Sequence, residues 1–151
     1  MKIIFHKLND PYGEFSNFYP SKMIIDGKEY QTVEHYYQSM KFKGTEFEEK
    51  IRLQPYPMKA KLFAYSEEAK KHFNFDEWEN KKVLVMRKAL IHKFKIERFR
   101  NLLISTKDAE IIEYSERDKF WGQKDGVGEN KLGRMLMYLR DKIIKTERII
   151  F

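Results

Sequence analysis

Up to Tyr30 apolar and polar residues alternate over short runs. Beyond Gln31 they recur every three to four positions. The first pattern predicts strands and turns. Ile3 to Phe5 reads as a short apolar strand, Pro11-Tyr12-Gly13 as a turn, and Met23 to Tyr30 as a hairpin with Asp26-Gly27 at its tip. The second pattern predicts helices. Thr32 is placed to cap one running to about Phe42, Gly44 to end it, and Thr45 with Glu48 to form a capping box for the next. Pro55 and Pro57 break the chain, and Met58 to Ala64 reads as a short helix. Asp76, with Glu79 three residues on, opens a longer helix whose Val83, Met86, Leu90 and Phe94 fall on one face. Glu97 to Ser105 continues helically and Ala109 to Tyr114 reads as a strand. Gly122 to Gly128 is a polar Gly-rich loop, after which Asn130 caps a last helix that buries Leu132, Leu136, Leu139 and Ile143. The pattern predicts an α+β fold, mainly helical, with a small antiparallel β element near the N-terminus. With no repeat, linker or low-complexity stretch, residues 1–151 read as a single compact domain.

Composition narrows this picture. A chain of 151 residues can bury a core without staples. The absence of cysteine excludes disulfides and thiolate metal sites and points to a reducing compartment. The first residues are too poor in apolar side chains for a signal peptide, and no apolar run reaches bilayer length, so a cytoplasmic protein without a membrane partner is expected. Lys and Arg number 30 against 23 Asp and Glu, a net charge of +7 that favours anionic partners: nucleotides, phosphosugars or nucleic acid. The charges are dispersed, however, and read equally as a Lys-rich solvated surface. Nine Tyr, 12 Phe and 2 Trp exceed what a small core requires and suggest a stacking surface for a planar ligand.

Three segments concentrate candidate chemistry. On a helix, Glu34, Tyr37, Gln38 and Lys41 share one face, lining up a carboxylate, a phenol, an amide and an ammonium. The same spacing also fits a solvated face with a Glu-to-Lys pairing. The flanking His35, Tyr36 and Phe42 favour a buried helix instead, in which a Glu must be paired or functional. No second His stands at ligand spacing, so neither a metal nor a cofactor is expected. The second segment runs from Asp118 through Trp121-Gly122, Gly126 and Gly128 to Asn130. Its Gly-rich loop leads into a helix N-terminus, where free N–H groups would cradle a phosphate, although an ordinary polar turn has the same composition. The third, Gly13 to Pro20, carries Asn17, whose amide suits a ribose hydroxyl or base edge, and Phe18, a core plug or a ligand contact. Trp78 opens the long helix, where core packing or ligand stacking is the use expected of a Trp.

Together these strings resemble the YbiA-like family, also called the NADAR superfamily. The resemblance is carried by Phe15-Ser16-Asn17-Phe18, by Thr32 to Gln38 with Lys41-Phe42, and by Trp78. It continues through Val85-Met86 to Lys93-Phe94, Asp118 with Trp121-Gly122, and Gly126, Gly128, Asn130, Leu132-Gly133 and Leu136-Met137. These occur in the family's order over nearly the whole chain. The resemblance implies an enzyme, an N-glycosidase acting on phosphoribosylated intermediates of riboflavin biosynthesis. Relatives that remove ADP-ribose from guanine supply the alternative, which would bring ADP-ribosylated guanine in nucleic acid in as a partner. A non-catalytic ADP-ribose or nucleotide module is the third reading, and the oligomeric state stays open.

The implied catalytic positions are Glu34, Asp118 and Lys41, with Trp78 and Trp121 stacking on base or sugar. Asn17, Phe18, Tyr37, Gln38, Gly122, Gly126, Gly128 and Asn130 are implied as further substrate contacts. Cleavage of a ribose–nitrogen bond passes through an oxocarbenium-like state. One carboxylate can stabilise it or activate water, and a second acid can protonate the departing nitrogen. A second chemistry has Lys41 attack an opened ribose as an amine. The stretch Leu62-Phe63-Ala64-Tyr65 departs from the family pattern in being more aromatic, and the choice of substrate is the property it bears on.

Overall fold

The computed structural model describes the backbone of residues 1–150 and the side chains of residues 1–146. The chain forms two compact units. One holds Met1–Ser16 together with the chain from Phe94 onward, and the other holds Asn17–Lys93. Helix dominates, and a small antiparallel pair lies early in the chain, as the pattern predicts.

In the unit Asn17–Lys93 the hairpin pairs β2 (Met23–Ile25) with β3 (Lys28–Tyr30), Met23 facing Tyr30 and Ile25 facing Lys28. Asp26 and Gly27 at its tip have φ of 50° and 80°, the left-handed pair that a two-residue hairpin turn demands. Helices follow at α1 (Val33–Met40), α2 (Glu46–Arg52), α3 (Pro57–Ala64), α4 (Glu67–Lys70) and α5 (Phe75–Lys93). Every residue of α1 is buried, and the helix packs against α2, α3, α5 and β3. Phe42, Phe47, Ile51, Ala60, Ala64 and Ala69 form a core beneath α2 to α4, with Phe63 and Phe73 against it. Burial pushes the Tyr30 phenol up to about 12 and raises that of Tyr36 as well, which marks both rings as core.

Three expectations about this unit change. Thr45 does cap α2, accepting from Phe47 N at 3.2 Å, but Glu48 accepts from Gly44 N, so no reciprocal capping box forms. The start of α5 is held by Asn74, whose Oδ1 accepts from Glu77 N at 3.1 Å, and not by Asp76. Met86 and Leu90 are buried on α5, whereas Val83 is 38% exposed and Phe94 lies past the helix end. The short α4, capped by Ser66 accepting from Ala69 N, has no counterpart in the pattern reading because four residues are too few to show a period.

In the other unit β1 (Lys2–Phe5) pairs in parallel with β4 (Glu110–Glu113), Ile3 facing Ile111. This second sheet was not expected: its strands lie far apart along the chain and carry no shared turn signal. A 3-10 turn at Gly13–Phe15, helix α6 (Glu97–Ser105) and helix α7 (Lys131–Ile150) complete the unit. Leu132 and Leu136 of α7 are fully buried and Leu139 and Ile143 partly so. Arg140, buried on α7, donates from Nη1 to Thr106 Oγ1 and Ala109 O at 3.0 and 2.7 Å, tying α7 to the turn before β4. Among the described residues no helix is long and apolar enough to cross a membrane.

Candidate active site

The segment that sets up the site begins at the start of α1. Thr32 is extended there, and its hydroxyl accepts from His35 N at 3.1 Å. The same hydroxyl lies 2.8 Å from His35 Nδ1, while Nε2 lies 2.9 Å from Gln54 O. A carbonyl only accepts, so Nε2 carries the ring proton and Nδ1 accepts from Thr32. His35 is thus a neutral core histidine that locks the first turn of α1 to the end of α2, and burial holds its pKa below the ordinary 6.5.

That shift carries a sign. The unfolded chain takes up a proton near pH 6.5 that the folded chain refuses, so stability is full above that value and is lost as pH falls through the folded pKa. Glu49, whose carboxyl the Arg52 and Lys28 bonds hold at about 2, acts in the same direction only below its ordinary 4.5. Melting temperature is therefore expected to fall between about pH 6.5 and pH 4.5, and His35→Gln to flatten the profile in that window. Thermal melts of the two proteins across pH check this.

With α1 so fixed, Glu34, Tyr37, Gln38 and Lys41 form the expected stripe, and the stripe is not solvated. Glu34 is 8% exposed, Tyr37 and Gln38 are buried, and only Lys41 at the helix end is half-buried. Glu34 N bonds to Asn17 O at 3.1 Å, which brings the Asn17 loop to the carboxylate's own turn, and Gln38 Nε2 donates to Glu34 Oε1 at 3.3 Å. Asn17 Nδ2 donates to Met86 Sδ at 3.6 Å. Among the described residues the amide oxygens of Asn17 and Gln38 are both buried without a hydrogen-bond partner, and such atoms call for an explanation; acceptors that await a ligand's hydroxyl or amine give one. Phe18, beside Asn17, is partly buried.

Lys41 ends in a box of rings. Its Nζ lies 4.5 Å from the Tyr65 ring centroid, 5.5 Å from Tyr37, 5.9 Å from Trp78 and 6.0 Å from Phe73. Tyr37 and Trp78 meet edge to face at 4.9 Å. The spacing along α1 placed Tyr37 beside Lys41, and the family resemblance supplied Trp78. Tyr65 and Phe73 were missed as walls; Phe73 offers no local signal, while Tyr65 lies in the stretch singled out as unusually aromatic.

The predicted residues of the other unit form a set of their own. Asp118 is exposed, and its Oδ1 accepts from Phe120 N and Trp121 N at 3.0 and 2.9 Å. The carboxylate thus holds the turn that seats Trp121, which is buried and meets Phe120 edge to face. Asp125 and Gly126, with φ of 50° and 81°, are the tip of a second tight turn, closed by two bonds between Lys124 and Val127. Gly122 and Gly128 are glycines for want of space: a Cβ would lie 2.7 Å from Ser115 Cβ at the first and 2.5 Å from Gly122 O at the second. Asn130 does not cap α7 through its side chain. Its φ is 50°, its Nδ2 donates to Ile111 O at 2.9 Å, and its Oδ1 accepts from Glu113 N at 3.0 Å, pinning the loop to β4. The phosphate-cradle reading meets a physical obstacle here. The N–H groups of Asn130, Lys131 and Leu132 already bond to Gly122 O, Phe120 O and Trp121 O, so an anion could take them only by breaking those bonds.

Comparisons with known proteins concern the chain as a whole. A family model described as the NADAR domain matches residues 4–144. N-glycosidase YbiA of Shigella boydii is 39% identical over 143 residues, covering 93% of this chain and 88% of the relative. A riboflavin biosynthesis protein of Vibrio vulnificus is 33% identical over 144 residues, which are 93% of this chain but 38% of that protein. The NMR structure of Escherichia coli YbiA superimposes with a TM-score of 0.84 at 36% identity, over 97% of this chain and 89% of that one.

Proposed function

This chain belongs to the NADAR domain family, and on that premise we propose that it releases ribose phosphate from a phosphoribosylated amine of the riboflavin pathway. It is a hydrolase of N-glycosidic bonds, and its substrate is a ribosylated small molecule. The riboflavin assignment is supported by the name of the Vibrio relative. The observation that carries the chemistry is the α1 stripe: a buried carboxylate, Glu34, beside the unsatisfied amide oxygens of Gln38 and Asn17 and on the same helix as the ring-boxed Lys41.

In the reaction the bond from ribose C1 to nitrogen breaks, water supplies the hydroxyl that C1 gains, and the nitrogen leaves with the remaining proton. Glu34 stabilises the cationic sugar or takes the proton from the attacking water. Gln38 and Asn17 accept from sugar hydroxyls or the leaving amine. Tyr37 and Trp78 offer flat faces against which a base can lie. Lys41 acts at the ribose, and Phe18, beside Asn17, is a further substrate contact. Asp118, Trp121, Gly122, Gly126, Gly128 and Asn130 enter the proposal as the family's second acid and aromatic with their supporting loop. The two backbone bonds to Asp118 support a role in seating Trp121.

The test is a substrate comparison read by mass spectrometry. The phosphoribosylamino pyrimidine of the riboflavin pathway should release ribose 5-phosphate, and an ADP-ribosylated guanine nucleotide should release far less. The reverse ranking would transfer the assignment to ADP-ribosyl removal. Release from neither, by folded protein, would defeat the enzymatic reading.

A further inference from the structure

Tyr65 is a large aromatic residue left 54% exposed, at the end of the aromatic stretch Leu62-Phe63-Ala64-Tyr65. Its ring is the nearest of the four around Lys41, and its hydroxyl accepts from Lys41 Nζ at 3.4 Å. The residue is not carried by a loose loop. It closes the C-terminus of α3, with its N–H bonded to Lys61 O and Leu62 O at 3.2 Å. The preceding Ala64 and Ala60 are packed into the core with Phe42, Phe47 and Ile51. Lys41 is the corresponding end residue of α1, its N–H bonded to Gln38 O and Ser39 O. Two helix ends, both anchored in one core, therefore present a phenol and an ammonium to each other.

A lysine ends in a flexible four-carbon stem, and holding its nitrogen at one place costs rotamer entropy. Rings on several sides offset part of that cost through cation–π attraction, which exists only while the nitrogen is charged. The phenol differs from the rings in one respect: its oxygen accepts from an ammonium and its O–H donates to a neutral amine. It can hold Lys41 in either proton state through the oxygen that lies 3.4 Å from Nζ, while the rings of Tyr37, Trp78 and Phe73 stand around the same nitrogen. We propose that Tyr65 is a positioning residue for Lys41, fixing its nitrogen for the reaction at the ribose through the phenol as well as the ring. The proposal rests on the reading of Lys41 as a reacting group.

Three variants of the full chain test it: Tyr65→Phe, Tyr65→Ala and Lys41→Ala. Tyr65→Ala should lower kcat by about ten- to a hundredfold with KM little changed, because a misplaced reacting group costs rate rather than binding. Tyr65→Phe, which keeps the ring and loses the hydroxyl, should fall between it and the native chain. A second readout needs no substrate. Reductive methylation with formaldehyde and cyanoborohydride, followed by peptide mass mapping, should modify Lys41 faster in Tyr65→Ala than in the native protein. Native kcat and native Lys41 methylation in Tyr65→Ala would overturn the proposal. So would a rise in KM alone, which would make Tyr65 a substrate contact. If Lys41→Ala turns over at the native rate, the reading of Lys41 itself fails; if Lys41→Ala is inactive while Tyr65→Ala is native, only the inference about Tyr65 fails.

Discussion

Glu34→Gln is expected to lower turnover by about a hundredfold or more while leaving thermal unfolding nearly unchanged, since positioned acid–base groups contribute about 10² to 10⁴ in rate. The substitution keeps the shape of the side chain and an oxygen that can accept from Gln38 Nε2, while it removes the charge and turns the second oxygen into an NH2 donor. A neutral amide cannot stabilise a cationic sugar or take a proton from water. Nor does burying it incur the desolvation that a carboxylate incurs at 8% exposure. Kinetics and a thermal melt on the same preparation separate the two roles. A loss of rate at constant stability marks Glu34 as chemical, and a large drop in melting temperature would mark it as a strut of α1.

Gly133→Ala is expected to destabilise the unit containing α7 by about 3 kcal/mol or more, because adding even one methyl to a packed contact forces backbone apart. A Cβ at Gly133 would lie 2.1 Å from Ile111 O and 2.5 Å from both polar atoms of the Asn130 side chain. The clash is with a backbone carbonyl of β4 and with the amide that pins β4 to the loop, so no flexible side-chain end can swing away. Relief requires α7 to lift from β4, which exposes Leu132 and Leu136. A urea titration of the variant should show a much lower midpoint. An unchanged midpoint would mean that the helix and the strand are not in this contact.

These two residues show how differently parts of the molecule could be read from the chain. The β2–β3 hairpin and the entry to α1 were legible because their causes are local: Asp26-Gly27 needs positive φ, and Thr32 caps the turn it precedes. The burial of the α1 stripe followed from its flanking aromatics. The cap of α5 was misassigned because Asn74 and Asp76 are both capping types and only the helix's actual start distinguishes them. The β1–β4 pairing was invisible because a parallel pair so far apart along the chain leaves no turn between its strands. The Gly-rich loop, readable from composition as either an anion cradle or a polar turn, has a related limit. Composition shows that backbone amides can approach a ligand, and only the tertiary bonds show that those of Asn130, Lys131 and Leu132 are already taken. At the site, periodicity placed Tyr37 next to Lys41. Tyr65 and Phe73 reach it through packing among α1, α3 and the segment after α4, which no spacing rule encodes.

The central claim is that this chain cleaves a ribose–nitrogen bond using Glu34. The most direct measurement follows both products by mass spectrometry, with the native protein and folded Glu34→Gln run side by side on the phosphoribosylamino pyrimidine. The account predicts ribose 5-phosphate and free pyrimidine amine appearing in equal amounts with the native protein and almost none with Glu34→Gln. Equal product from both proteins, or no product from either, would contradict it.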